Sequence, residues 1–242
     1  MCRYGEADFD SDYVNWGFHD AETQIREAES VLSIVKPGDP LRVLDLACGL
    51  GTHAVYWARQ GHKVTGVDLS QTFVDKARQL ADREGVDLEL HVQDIRTLTW
   101  REEFDLVTWI EGAFFDDDLV RSAFGCLRSG GCFVFDVRNP DHPKMKSLAS
   151  DWRTWREEDG VFHLERHETN QQTGEHEDVW ITIDPDRGVI EERSDSGGAR
   201  TLADKMRILE DAGFRRIQIR TMEGHVFTPA EEPYWLWVVA DK

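Results

Sequence analysis

Hydrophobic and polar positions follow two alternating periods along this chain. Short apolar runs, typical of buried strands, alternate with segments in which apolar residues recur every three or four positions, as in amphipathic helices. This alternation predicts βαβ units, a mainly parallel sheet and therefore an α/β fold. Strands are expected at 41–46, 63–67, 88–92, 104–110, 132–136, 216–220 and 235–240, and helices at 21–35, 52–60, 71–84, 119–127 and 201–212.

Two regions add detail to this pattern. The first helix carries four apolar residues that are expected to face the core: Ile25, Ala28, Leu32 and Val35. After Ser150 the period changes from helical spacing to simple alternation, which indicates half-buried strands. Three alternating runs separated by polar turns predict a small antiparallel insert, with strands at 161–168, 178–184 and 188–194.

A glycine turn follows the first strand. The apolar run Val43–Leu46 ends in Gly49-Leu50-Gly51, after which a helical pattern resumes. A strand, a glycine turn and a helix in this order favour nucleotide binding, because the backbone can approach the ligand and the helix N-terminus offers spare N–H groups. The spacing to Ala54 also fits a dinucleotide site. Asp45 argues against that alternative, because it would repel a pyrophosphate and attract an amino group or a sulfonium.

The segment from Val43 to Ala54 resembles motif I of the class I S-adenosylmethionine-dependent methyltransferases. Acidic residues after the next two strands, the segments FDLV and LRSGGCFVFD, and the last helix are similar to that family in the same order. The resemblance implies a Rossmann-like, seven-stranded doubly wound sheet with an antiparallel last strand and a small antiparallel β insert. A nicotinamide-binding domain lacks this ending. The expected divisions are an N-terminal helical or lid segment (1–38), a cofactor-binding core (39–150), the insert on the substrate side (151–200) and the C-terminal part of the core (201–242).

The resemblance also implies which residues hold the cofactor. The methionyl end would lie at Asp45 and the glycine turn, the ribose at Asp68, and the adenine at Asp94. An acidic residue at the tip of the second strand can accept hydrogen bonds from both ribose hydroxyls. The residues expected to bind S-adenosylmethionine, and S-adenosylhomocysteine as product, are Tyr13, Trp16, Asp45, Ala47, Gly49, Gly51, Asp68, Leu69, Asp94, Ile95 and Ile110.

The sequence indicates less about the methyl acceptor than about the cofactor. Transfer from a sulfonium depends on positioning, and an amine or alcohol acceptor must also lose a proton to a carboxylate or imidazole. Glu111 after the fourth strand and His163 in the insert are the candidates, although Glu111 also fits a solvated loop and His163 an exposed sheet face. The expected substrate contacts are Phe114, Arg138 and Asn139.

Charge and composition restrict the partners. The chain carries 47 acidic and 28 basic residues, a formal charge of −19, which disfavours nucleic acids and anionic membranes. Asp116-Asp117-Asp118 fits the N-terminus of a helix better than a metal site. With a polar N-terminal stretch and no long apolar run, we expect a cytoplasmic, metal-independent monomer or homodimer. The function expected is methyl transfer to a small-molecule N- or O-acceptor, with an NAD(P)-dependent oxidoreductase or a non-catalytic S-adenosylmethionine-binding protein as alternatives.

Overall fold

The structure is a computed structural model that describes residues 20–112, 115–139, 142, 152–156, 160–169, 175–186, 188–198, 202–228, 231 and 233–242. The chain divides into two compact units. Residues 139–204 belong to the smaller unit, and the described residues before and after them form the larger unit.

The larger unit is built on one seven-stranded sheet. Its strands are β1 (Arg42–Leu46), β2 (Lys63–Asp68), β3 (Glu89–Val92), β4 (Phe104–Trp109), β5 (Leu127–Arg138), β10 (Arg215–Thr221) and β11 (Trp235–Asp241). The helices are α1 (Ala21–Val35), α2 (Thr52–Arg59), α3 (Gln71–Glu84), α4 (Asp117–Cys126) and α5 (Leu202–Ala212), and a 3₁₀ turn spans Ile95–Thr97.

The order of these strands confirms the expected topology. They run β10-β11-β5-β4-β1-β2-β3 across the sheet. The pairs β1–β2, β1–β4, β2–β3 and β4–β5 are parallel, whereas β11 is antiparallel to both β5 and β10. The tips of β5, β4, β1, β2 and β3 therefore lie side by side at one edge. Open α/β sheets bind their ligands at this carboxyl edge.

Local signals explain where several helices begin and end. Ser70 accepts a hydrogen bond from the backbone of Phe73 and caps α3, and Gly85 ends that helix in the left-handed conformation. The Asp116 side chain accepts from the backbone of Leu119 and caps α4. The helix-opening role of the aspartate run was expected from the sequence.

Two strand predictions were wrong, one in where a strand begins and the other in the number of strands. Strand β5 begins at Leu127, directly after α4, because Gly130 and Gly131 continue in the strand instead of forming a separate turn. A Cβ at Gly131 would lie 2.8 Å from the carbonyl oxygen of Asp105, so only glycine allows β5 to run this close to its neighbour. The smaller unit has four antiparallel strands and not three: β6 (Trp152–Arg156), β7 (Phe162–Thr169), β8 (Glu175–Asp184) and β9 (Gly188–Gly198), in that order.

The predicted inner face of α1 was also partly wrong. Ile25 is 38% exposed, while Gln24, Glu27 and Ser30 are buried beside Ala28 and Val31. The cause is a set of polar contacts with two tryptophans. The Nε1 of Trp57 donates to the carbonyl oxygen of Ala28 at 3.1 Å, and the Nε1 of Trp237 donates to the Ser30 hydroxyl at 3.0 Å. The helix is thus held to the larger unit by hydrogen bonds as well as by apolar packing.

Candidate active site at the carboxyl edge of the sheet

The glycine turn is a compact corner that larger residues could not form. The backbone N–H of Cys48 donates to the carbonyl oxygen of Val67 at 3.0 Å, which ties the turn to β2. Gly51 has a φ of 81°, and a Cβ there would lie 2.8 Å from the Cβ of Ala77 on α3. Ala47 has a positive φ of 54° although it is not glycine, so the chain is strained where β1 ends.

Asp68 fixes this turn from the tip of β2. Its carboxylate is 6% exposed and accepts hydrogen bonds from the backbone N–H groups of Gly49 and Ser70, each at 2.9 Å. Burial raises its pKa, while the N–H donors of Ser70, Gly49 and the half-buried Leu69 act in the opposite direction. The side chain is therefore held in one orientation beside the glycine turn.

Asp45, near the tip of β1, has an unsatisfied oxygen. Its side chain is 2% exposed, and Oδ1 accepts a hydrogen bond from the Thr108 hydroxyl at 2.8 Å. Among the residues described, Oδ2 has no hydrogen-bond partner. Burial, with a contribution from Asp68, raises the pKa of Asp45 to about 6, although His53 and Thr108 oppose the shift. A buried carboxylate oxygen without a donor fits a ligand that brings a cationic N–H group.

Asp94 follows β3, and its carboxylate already accepts hydrogen bonds from Arg96. It caps the 3₁₀ turn by accepting from the backbone N–H of Arg96, and its two oxygens also accept from the Arg96 guanidinium at 2.6 to 3.1 Å. These hydrogen bonds lower the pKa of Asp94. The carboxylate remains partly exposed at 28%, and the neighbouring Ile95 is buried. A carboxylate has enough lone pairs to accept a further donor beside the guanidinium.

A buried ion pair that sequence reasoning missed adjoins the glycine turn. His53, in the first turn of α2, lies 3.0 Å from Glu27 of α1, measured from Nε2 to Oε2, and both side chains are buried. Burial alone would lower the pKa of His53, but the hydrogen bond with Glu27 and the charges of Asp45 and Glu111 outweigh it and raise the pKa. The imidazole therefore binds a proton more readily than an ordinary histidine.

Glu111 belongs to the same region and connects three elements. It follows β4 with a positive φ of 55°. Its Oε2 accepts a hydrogen bond from Gln24 of α1 at 2.7 Å, and its backbone N–H donates to Asp136 at the end of β5 at 3.0 Å. Asp136 is 9% exposed, and burial, together with the charges of Glu111 and Glu27, raises its pKa to about 6.

A signal for the missed residues does exist in the sequence. Gln24, Glu27, Ala28 and Val31 form an i, i+3, i+4, i+7 stripe, which is the inner face that the structure shows. Following only the apolar positions of α1 selects a different face. Polar residues on a helical stripe that also carries fully buried apolar residues indicate a site that the helix covers.

Aromatic rings lie at and after the end of β4. Ile110 is buried at the end of β4, and the ring centroids of Trp109 and Phe115 are 5.9 Å apart. Gly112 must be glycine, because a Cβ there would lie 1.9 Å from the Trp109 indole. The ammonium group of Lys205 on α5 lies 5.2 Å from the Phe115 ring centroid, and burial lowers its pKa.

Known proteins are similar to this chain over the segment that contains the glycine turn. Residues 43–131 match the family model described as a methyltransferase domain. The ubiquinone biosynthesis O-methyltransferase of Coxiella burnetii is 31% identical over 101 residues, which are 40% of this chain and 43% of that protein. The chain therefore spans less than half the length of this curated relative.

Solved structures extend the likeness to nearly the whole chain. The CcbJ methyltransferase from Streptomyces caelestis has a TM-score of 0.72 at 19% identity, covering 95% of this chain and 94% of that one. An amino pentose methyltransferase of calicheamicin biosynthesis from Micromonospora echinaspora, solved with S-adenosylmethionine bound, has a TM-score of 0.62 at 21% identity, with 93% of each chain covered. At such identities the likeness establishes the fold.

Residues 43–131 are thus similar to a methyltransferase domain, and the fold is that of S-adenosylmethionine-dependent methyltransferases. The methyltransferase domain expected from the sequence is therefore confirmed. In this methyltransferase domain, Asp45, Asp68 and Asp94 lie at or beside the tips of the adjacent strands β1, β2 and β3.

Three other predicted site residues can also be located in the structure. Arg138 is exposed and its guanidinium lies over the Trp235 ring at 5.5 Å, and Asn139 is buried at 3% in the smaller unit. His163 lies on β7 of the smaller unit. Tyr13, Trp16 and Phe114 lie outside the described residues.

Two general findings concern metals and membranes. In the described ranges, no three His, Cys, Asp or Glu side chains converge in a way that could hold a metal ion. The same part of the chain contains no helix whose length and apolar character would allow it to cross a lipid bilayer.

Proposed function

We propose that the chain transfers the methyl group of S-adenosylmethionine to a nitrogen or oxygen atom of a small molecule. The observation that carries the proposal is the arrangement around the glycine turn. Asp68 holds the turn through Gly49 and Ser70, while the buried Asp45 presents an oxygen that lacks a donor. A dinucleotide pyrophosphate would place negative charge beside these acids, whereas a methionyl amino group would satisfy Asp45.

The proposed roles of the residues follow from their positions. Asp45 would accept from the amino group, Asp68 would accept from the ribose hydroxyls, and Asp94 with Ile95 would hold the adenine. The N–H groups at the start of α2 suit a carboxylate. S-adenosylmethionine supplies the methyl group as an electrophile on a positively charged sulfur. The chain's own residues position the acceptor and exclude water, which supplies much of the rate in such displacements.

A small acceptor is favoured by charge and by the relatives. The net charge of −19 opposes binding of polyanions. The relatives named above include a ubiquinone biosynthesis O-methyltransferase and an amino pentose methyltransferase, both named for small-molecule chemistry. We propose Glu111 as the group nearest the acceptor, because it bridges α1 and β5 at the carboxyl edge. His163 stays a prediction, as do Tyr13, Trp16 and Phe114.

Two titrations and one assay test this function. Calorimetric titration should show saturable binding of S-adenosylhomocysteine and no binding of NAD. A radiolabelled methyl group should then pass from S-adenosylmethionine to at least one member of a broad panel of amines and alcohols. Binding of NAD alone would contradict the proposal. Cofactor binding without transfer to any acceptor would favour a non-catalytic binding protein.

A further inference from the structure

Two positive side chains of the larger unit lie near the carboxyl end of β5 without an acid bound to them. Arg138 is the last residue of β5, and Lys205 lies on α5. The two are close enough for the charge of Arg138 to lower the pKa of Lys205. Among the described residues, neither side chain forms an ion pair or donates a hydrogen bond. In a chain with 47 acidic and 28 basic residues, neighbouring cations that share no acid indicate a place for an external anion.

Each of the two cations lies over an aromatic ring. The guanidinium of Arg138 is 5.5 Å from the ring centroid of Trp235, the residue that pairs with it between β5 and β11. The ammonium of Lys205 is 5.2 Å from the ring centroid of Phe115, which in turn packs 4.9 Å from that of Phe135. A ring face stabilises a cation but supplies no oxygen for its N–H donors. Both side chains are therefore positioned while their donors remain available.

Lys205 is the more informative of the two cations. Arg138 is exposed, so water can accept from its guanidinium, whereas Lys205 is half-buried. Burial lowers the pKa of Lys205, and the charge of Asp136 acts in the opposite direction. Asp136 itself accepts from the backbone N–H of Glu111 at 3.0 Å and is not bonded to the lysine. A half-buried ammonium without an acceptor is unfavourable, and a ligand with negatively charged oxygens would stabilise it.

We propose that the methyl acceptor carries an anionic oxygen group, a carboxylate or a phosphate, which Lys205 and Arg138 bind together. This inference names the class of small molecule and rests on the proposed function. A guanidinium and an ammonium offer eight N–H donors in total to such a group. The neighbouring rings suit an acceptor whose anionic group is attached to an apolar or aromatic body. The anionic group orients the acceptor, while the bond changes stay at its nitrogen or oxygen nucleophile.

The acidic character of the chain is compatible with a small anion at this place. The net charge of −19 repels anions from a distance, but salt screens such long-range repulsion more than it screens direct contacts. Two adjacent cations can therefore bind one carboxylate or phosphate group. A polyanion needs many such contacts, so nucleic acids stay disfavoured.

The test uses the full chain saturated with S-adenosylhomocysteine and three probes built on one benzene ring. Benzoate, phenyl phosphate and benzamide are titrated calorimetrically into the wild-type protein. Benzamide is the neutral control, because it has nearly the shape of benzoate. At least one of the two anions should bind about tenfold more tightly than benzamide, as for charge-assisted hydrogen bonds. The anion that binds more tightly identifies the group as a carboxylate or a phosphate.

Four variants assign the binding to these two cations. Lys205→Met removes the charge but keeps an unbranched side chain against the Phe115 ring, so it should fold, which a thermal melt verifies. In Lys205→Met and in Arg138→Gln, the preference for the anion should fall to about twofold or less. Lys205→Arg keeps a positive charge and should retain a larger preference than Lys205→Met. Lys63→Gln, at the exposed start of β2 on the opposite edge of the sheet, is the control and should behave like wild type.

The outcomes separate this inference from the proposed function. Equal binding of the anions and benzamide, no saturable binding of either anion, or a preference that survives both Lys205→Met and Arg138→Gln would overturn this inference alone. If Lys205→Met does not fold, Arg138→Gln decides, because it changes an exposed residue. Failure of S-adenosylhomocysteine to bind in the first step would overturn the proposed function and this inference with it.

Discussion

The acids at the two halves of the carboxyl edge have different kinds of hydrogen-bond partner. At the nucleoside half, formed by Asp68 and Asp94, the carboxylates are satisfied by the chain itself, through backbone N–H groups and the Arg96 guanidinium. At the carboxylate half, formed by Asp45 and Asp136, the donors are the Thr108 hydroxyl and the backbone N–H of Glu111, both neutral.

This difference shows which part of the site is prepared in advance and which part depends on a ligand. Satisfied carboxylates are rigid and can orient a sugar and a base without changing their own surroundings. Buried carboxylates with neutral partners reduce stability until a cation binds. The carboxylate half therefore lowers the stability of the chain without ligand, and it favours the binding of positively charged groups. Each of the following variants tests one side of this contrast.

The largest effect is expected at the glycine turn of the nucleoside half. Gly51→Ala should destabilise the chain by about 2–4 kcal/mol, because it combines a left-handed backbone with a clash against Ala77. S-adenosylhomocysteine binding should be lost as well. Gly38→Ala is the matched control, since a Cβ there meets nothing within 4 Å. Denaturant unfolding measures both, and equal stability of the two variants would show that the turn is not constrained.

Removing the acid that holds the turn should have the next largest effect. Asp68→Ala leaves the N–H groups of Gly49 and Ser70 without their acceptor, which should cost about 1–3 kcal/mol of stability. Affinity for S-adenosylhomocysteine should fall roughly hundredfold, because the ribose acceptor is lost too. Asp75→Ala, an exposed acid on α3, should change neither quantity. Unchanged affinity in Asp68→Ala would exclude Asp68 from the ribose site.

Removing an acid from the carboxylate half should instead raise the stability of the chain. The pKa of Asp45 and of Asp136 is about 6 in the folded chain and about 4 in an unfolded one. The folded state therefore binds these protons more tightly, and stability falls as pH rises from about 4 to above 6. Asn cannot ionise, so Asp136→Asn should be more stable than wild type at neutral pH by on the order of 1–3 kcal/mol.

Unfolding experiments across this pH range check the prediction. The difference in stability between Asp136→Asn and wild type should grow from pH 4 to pH 7, and Asp45→Asn should behave alike while binding S-adenosylhomocysteine more weakly. A variant that is less stable than wild type at neutral pH would mean that the buried charge is already compensated.

The smallest effect is expected where α1 meets the site. Gln24→Ala removes the amide that donates to Glu111 and should cost about 1 kcal/mol, the net value of one hydrogen bond. Ile25→Ala is the neighbouring control, because Ile25 is 38% exposed and its loss should matter less. If Ile25→Ala were the more harmful of the two in thermal unfolding, the polar face of α1 would not be the docking face.

The nucleoside half could be predicted from sequence because its signals are local. A strand, a glycine turn and an acid at the next strand tip are close in sequence, so the positions of Gly49, Gly51 and Asp68 follow from their spacing. The seven-stranded sheet and the antiparallel β11 followed from the family resemblance. Asp94 was placed correctly at the end of β3, but its bond to Arg96, only two residues away, was not considered.

The carboxylate half could not be predicted in the same way because its contacts are distant in sequence. Gln24 and Glu111 are 87 residues apart, and Glu27 and His53 are 26 apart. Only the packing of α1 brings them together. The stripe on α1 indicates which face is buried, but not the tryptophan hydrogen bonds that fix the helix in place. Asp136 was read as the end of a strand, since burial of a strand-tip carboxylate depends on neighbours elsewhere in the chain.

A crystal structure of the chain with S-adenosylhomocysteine tests the central claim most directly. The account predicts that Asp68 contacts both ribose hydroxyls and that the amino group of the ligand lies within hydrogen-bonding distance of Asp45 Oδ2. A ligand bound elsewhere, or a ligand at the glycine turn with Asp45 Oδ2 and Asp68 both out of reach, would contradict it.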